Sequence, residues 1–109
     1  MDSRVEAVIA TIERDFADCT MNSERLAAVA NLSPSRLHHV FKAETGKALM
    51  LYLRSIRMRE AATLLAISNL SVKELAHRVG YKSYSHFIHD FKREHGIPPG
   101  RYQAIVTIE

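Results

Sequence analysis

The chain is poor in the residues that staple, break or bury unusual structure. Cys19 is its only cysteine, so an intrachain disulfide and a cysteine zinc cluster are both excluded. That poverty fits a reducing compartment. Four glycines and three prolines in 109 residues leave most of the backbone free to form regular elements. Tryptophan is absent. No apolar run approaches the ~18 residues that span a bilayer. The opening Met-Asp-Ser-Arg-Val-Glu has neither an apolar core nor a small-residue cleavage site, so it does not read as a signal peptide. The expectation is a soluble cytoplasmic chain. No Ser/His/Asp arrangement or carboxylate pair can be argued, and Thr45-Gly46-Lys47 lacks the upstream glycines of a phosphate loop. The chain does not read as an enzyme, and no cofactor is expected.

What remains is helical. Val5, Val8, Ile9, Ile12 and Phe16 recur at three- and four-residue spacing and form the stripe of a first helix. Asn22 or Ser23 can cap a short second helix bearing Leu26, Ala27 and Ala30. Ser33-Pro34 starts a third, with a hydroxyl cap and proline at the first position, and Gly46 ends it. A long fourth helix runs from about Leu49 to Ile67. Ser71 caps a fifth and Ser83 a sixth that stops at Gly96. Ile97-Pro98-Pro99-Gly100 reads as a turn before a last helix from Arg101 to about Val106. The fold class is all-α with about seven helices.

The chain repeats itself. Ser33, Ser35, His39, Phe41, Lys42, Glu44, Gly46 and Tyr52 return fifty residues later as Ser83, Ser85, His89, Phe91, Lys92, Glu94, Gly96 and Tyr102. Upstream the offset is forty-nine, pairing Leu26-Ala27 with Leu75-Ala76 and Asn31 with Gly80. The second copy therefore carries one extra residue just after its turn. Each copy has the order of a helix-turn-helix: a small residue (Ala27, Ala76), then one that tolerates a left-handed backbone (Asn31, Gly80), then a capped helix. Three segments follow: a first helix-turn-helix subdomain over 1–48, a linker helix over 49–67 and a second subdomain over 68–109, together one domain.

Helical phase sets what each second helix shows. With Leu37, Val40 and Phe41 inward, the outer side of the first presents Ser35, His38, His39 and Lys42, with Arg36 on the flank. With Phe87, Ile88 and Phe91 inward, the other presents Ser85, His86, His89, Lys92 and Arg93, and Asp90 sits at the margin. No acid lies on either face. Cations for phosphates, hydroxyls and imidazoles for base edges, and two free helix N-termini at Ser33 and Ser83 are what a duplex requires. Tyr84 stands beside the second cap. The net charge of +3 agrees but decides little.

Gly80-Tyr81-Lys82-Ser83-Tyr84-Ser85-His86-Phe87-Ile88-His89-Asp90-Phe91-Lys92, continuing through Gly96-Ile97-Pro98-Pro99-Gly100-Arg101-Tyr102, resembles the DNA-binding domain of the AraC/XylS family of bacterial transcription regulators. Arg57 with Ala61-Ala62-Thr63-Leu64-Leu65 resembles that family's linker helix, and Leu26-Ala27 with Leu37-His38-His39-Val40-Phe41-Lys42 its first unit. The likeness covers almost the whole chain. It implies sequence-specific binding to double-stranded promoter DNA through two recognition helices in successive major grooves. It further implies activation through RNA polymerase, and a monomer for this segment. His39 and His89 depart from the family, which usually has arginine there. Imidazole cannot make the two-pronged contact of arginine with guanine, so the base preference is altered. The alternative is a helical protein–protein interaction module without DNA affinity.

Other residues carry blander readings. The six histidines do not predict a metal site, since three or four converging ligands would be needed. Cys19 reads as a partly buried small hydrophobe. Arg57 reads either as a phosphate contact or as a structural partner of Glu60 or another acid, and Tyr52 and Tyr102 as packing residues.

Overall fold

Seven helices carry the computed structural model, which is described over residues 1–107. They are α1 (Ser3–Asp15), α2 (Ser23–Ala30), α3 (Pro34–Thr45), α4 (Leu49–Ile67), α5 (Val72–Arg78), α6 (Tyr84–His95) and α7 (Pro99–Val106). Among the described residues there is no strand. Polar side chains start five of the seven helices: Asp2, Asn22, Ser33, Ser71 and Ser83 each accept a backbone N–H of the first turn. The seven-residue α5 has a full capping box with Glu74. The last helix begins earlier than the sequence suggested. Pro99 occupies its first turn, where the missing N–H costs nothing, so Pro99 and Gly100 are helical instead of part of the turn.

Two cores lie at the ends of a molecule that measures 46 × 23 × 20 Å. The first gathers Val5, Val8, Ile12, Leu26, Leu37 and Phe41. The second gathers Leu75, Ala76, Val79, Tyr81, Phe87 and Phe91. The linker α4 belongs to both. Leu49, Leu53 and Ile56 enter the first core, while Met58, Ala61 and Leu65 enter the second. At roughly 100° per residue, these triplets lie about 150° apart around the helix. The helix therefore turns a different face to each core, which is why its sequence shows no single apolar stripe. Spanning about 28 Å at the standard rise, it is a shared wall of both units as well as a spacer.

Candidate nucleic-acid interface

The two turns are built alike. Asn31 ends α2 with φ 58°, and Gly80 follows α5 with φ 102°. Leu32 N–H donates to Ala27 O and Tyr81 N–H to Ala76 O, both at 3.0 Å. The small residues Ala27 and Ala76 are buried where the second helices cross. Helices α3 and α6 have twelve residues each, and each ends on a left-handed glycine whose N–H donates to a lysine carbonyl, Lys42 or Lys92, at 2.8 Å. Tyr52 packs edge-on to Phe41 and Tyr102 edge-on to Phe91, both at 5.5 Å between ring centres. The packing reading of the two tyrosines holds.

The outward side chains follow the helical phase. Ser35, Arg36, His39 and Lys42 are exposed on α3, as are Tyr84, Ser85, His86, His89, Lys92 and Arg93 on α6. Ser33 and Ser83 are exposed caps, accepting from Arg36 N–H and His86 N–H at 3.2 Å. Shallow hollows open at matching places, one lined by His38, His39, Lys42 and Ala43, the other by His89, Lys92, Arg93 and Gly96. His38 sits less outward than its phase suggests. It is half-buried, with one ring nitrogen 2.9 Å from Ser23 Oγ on α2.

The second face differs from expectation at Asp90. This carboxylate is only 8% exposed and accepts a hydrogen bond from the Tyr81 hydroxyl at 2.7 Å. It lies 3.6 Å from His86 Nε2 and 3.4 Å from His89 Nδ1, a buried acid beneath the exposed face of α6. Aligning the copies shows why: Leu32 and Val40 of the first unit become Tyr81 and Asp90 in the second. An apolar pair has been exchanged for a hydrogen-bonded one. Burial, then the hydrogen bond and charge of Asp90, push the Tyr81 hydroxyl well above its ordinary range, and Arg57 and Arg54 partly oppose this. The paired change was visible in the repeat. Its hydrogen bond was not.

One position that sequence reasoning missed is His95. It stacks at 4.4 Å on Phe91 and places Nε2 3.2 Å from Met58 O, tying the end of α6 to α4. Cys19, in the loop after α1, is exposed, contrary to expectation. It lines a cleft of about 390 Å³ between the two units, together with Met50, Leu51, Arg54, Lys82 and Ser83. Among the described residues Arg57 pairs with no acid. Its guanidinium donates to Phe16 O at 2.8 Å and Asp18 O at 3.0 Å. Arg54 faces Glu94 of α6 at 4.0 Å. No described helix is long and apolar enough to cross a membrane.

A helix-turn-helix domain family matches residues 26–105. The chain is 35% identical over 82 residues to the HTH-type transcriptional regulator MtrA of Neisseria gonorrhoeae, covering 75% of this chain and 27% of that protein. It thus spans under a third of that relative. The C-terminal domain of AraT, a response regulator from Geobacillus stearothermophilus, superposes with a TM-score of 0.92 at 32% identity over 95% of this chain and 86% of that one. The DNA-binding domain of AdpA, a global transcriptional factor solved in complex with a target DNA, gives 0.88 at 30% identity over 99% and 96%.

Proposed function

Because the chain belongs to the AraC-type helix-turn-helix domains, we propose that it binds double-stranded promoter DNA and regulates transcription from it, laying α3 and α6 in successive major grooves. One observation carries the reading. Two helices at equivalent places of a repeat, each with its N-terminus capped by serine, expose hydroxyl, imidazole and cationic groups along matching faces. Lys42, Lys92 and Arg93 neutralise phosphates. Ser33, Ser83 and Tyr84 border the phosphate strand at the helix starts, where the dipole favours anions. Ser35, Arg36, His38 and His39 read base edges in one groove, and Ser85, His86 and His89 in the other. Arg36 is the side chain of this set able to hold guanine with two prongs.

The copies differ, since Arg36 corresponds to His86 and His38 to Ile88, so a monomer reads an asymmetric, bipartite site. Its half-elements lie about 10 to 10.5 base pairs apart. Activation through RNA polymerase, and residence in the cytoplasm where both are found, complete the reading on the strength of the family.

The test is selection of duplexes from a random-sequence library by the purified protein, then titration of the selected duplex against salt. Log affinity is expected to fall linearly with log salt, by about 0.9 per phosphate neutralised. Lys42→Ala and Lys92→Ala should each flatten the slope by about one contact while weakening all sequences alike. Failure to enrich any sequence, with salt-independent affinity, would favour a protein-interaction module instead.

A further inference from the structure

Two units that share one helix as a wall can still rock about its axis. A second, off-axis attachment would remove that freedom, and the structure contains one. Arg57 stands on α4 between Ile56, which enters the first core, and Met58, which enters the second. Its side chain leaves the helix on the flank between those faces. There it donates two N–H groups to the carbonyls of Phe16 and Asp18, at the C-terminal end of α1 in the first unit. Phe16 is the cap residue of α1, so the guanidinium meets the negative end of that helix.

The same guanidinium touches the second unit. Its carbon lies 5.8 Å from the centre of the Tyr81 ring, within cation–π range. The Tyr81 hydroxyl in turn donates to Asp90 on α6. Gly80 closes the junction. A Cβ built there would stand 2.7 Å from Phe16 O and 2.9 Å from Arg57 Nε, closer than real Cβ contacts come. The loop of the first unit, the middle of α4 and the turn of the second helix-turn-helix thus meet around one half-buried side chain. Burial holds the guanidinium below its ordinary pKa, yet arginine stays charged at any working pH.

We infer that Arg57 is a positioning residue that locks the second helix-turn-helix unit to the first, and so sets which spacing of DNA half-elements the chain accepts. The inference rests on the DNA-binding reading for its functional half, whereas its mechanical half concerns the free protein. Each inserted base pair turns one half-element by roughly 34–36° and shifts it by about 3.4 Å. A locked pair of recognition helices should reject such changes, and an unlocked pair should absorb them. Lysine is a poor substitute, because one ammonium cannot present two forked N–H groups to two carbonyls.

Arg57→Met and Arg57→Lys should be compared with the unaltered protein on the selected duplex, on duplexes with one, two or five base pairs inserted between half-elements, and on a single half-element. The unaltered protein should lose at least tenfold in affinity with one or two inserted pairs. Arg57→Met should bind the single half-element as the unaltered protein does. It should bind the selected duplex about tenfold more weakly, and the insertion series should compress to within about threefold. Arg57→Lys should fall between the two. Backbone amide relaxation without DNA supplies the second measurement. The two units should reorient as one body in the unaltered protein and with separate correlation times in Arg57→Met. A merely stabilising side chain would lower the melting temperature and leave both readouts unchanged, and an insertion profile parallel to the unaltered one would overturn the lock. Absence of any selected duplex would count against DNA binding alone, leaving the relaxation result to decide the mechanical claim.

Discussion

Replacing Tyr81 with phenylalanine removes one oxygen from the second unit and leaves a carboxylate behind. The ring should stay where it is, edge-on to Phe87 at 5.4 Å. Asp90, 8% exposed, would lose the hydroxyl that donates to it at 2.7 Å. Hydrogen bonds to charged groups contribute about 1.5–3 kcal/mol. His86 and His89, at 3.6 and 3.4 Å, still face the carboxylate, which puts the expected loss near the middle of that range, about 2 kcal/mol. For a domain of this size that corresponds to roughly 8–16 °C in melting temperature. The chain has no tryptophan, so urea unfolding is best followed by far-ultraviolet circular dichroism. A double change supplies the control. Tyr81→Leu with Asp90→Val installs the apolar residues that stand at the matching places of the first unit, Leu32 and Val40, both packed against its core, and removing both partners together should recover most of the loss.

The pH dependence has a definite sign. The folded hydroxyl of Tyr81 ionises later than that of the unfolded chain, so its contribution is complete below about pH 10 and is lost as pH rises beyond it. Tyr52, also raised by burial, contributes in the same direction, so the difference between the unaltered protein and Tyr81→Phe isolates Tyr81. A Tyr81→Phe protein within about 0.5 kcal/mol of the original, or a double variant no better than the summed single changes, would refute the reasoning.

Two further outcomes follow from local geometry. Ser71→Ala removes the hydroxyl that accepts the Glu74 N–H at 3.1 Å, and leaves the backbone N–H of residue 71 to donate to the Glu74 carboxylate at 3.2 Å, on a helix of seven residues; a loss of about 1 kcal/mol is expected by urea titration. Gly80→Ala and Gly46→Ala both place a side chain at positive φ, but only position 80 also meets a neighbouring carbonyl. Thermal melts should therefore rank Gly80→Ala as the more damaging, by at least about 1 kcal/mol; equal losses would mean that the junction yields freely.

Periodicity, caps and the fifty-residue repeat determined the seven helices, the two turns and the outward faces, because each depends on residues close in sequence. Ser33-Pro34 and Gly46 fix α3 without help from the rest of the chain, and phase then decides that Lys42 faces out while Phe41 faces in. The start of α7 was misplaced for a local reason, since Pro99 satisfies the rules of a turn and of a first helical turn equally well. What only the tertiary structure decided are the meetings between distant segments. Arg57 lies 41 residues from Phe16, and nothing in its neighbourhood shows that its donors go to backbone carbonyls instead of to Glu60. Carbonyls are present at every residue and carry no sequence signature. Asp90 seemed marginal by phase, yet the fold buries it and brings the Tyr81 hydroxyl to it, which makes its burial tolerable. The sequence thus determined the two outward-facing helices; how they are held relative to each other depends on α4 entering both cores, on Arg57 and on the close approach that Gly80 permits.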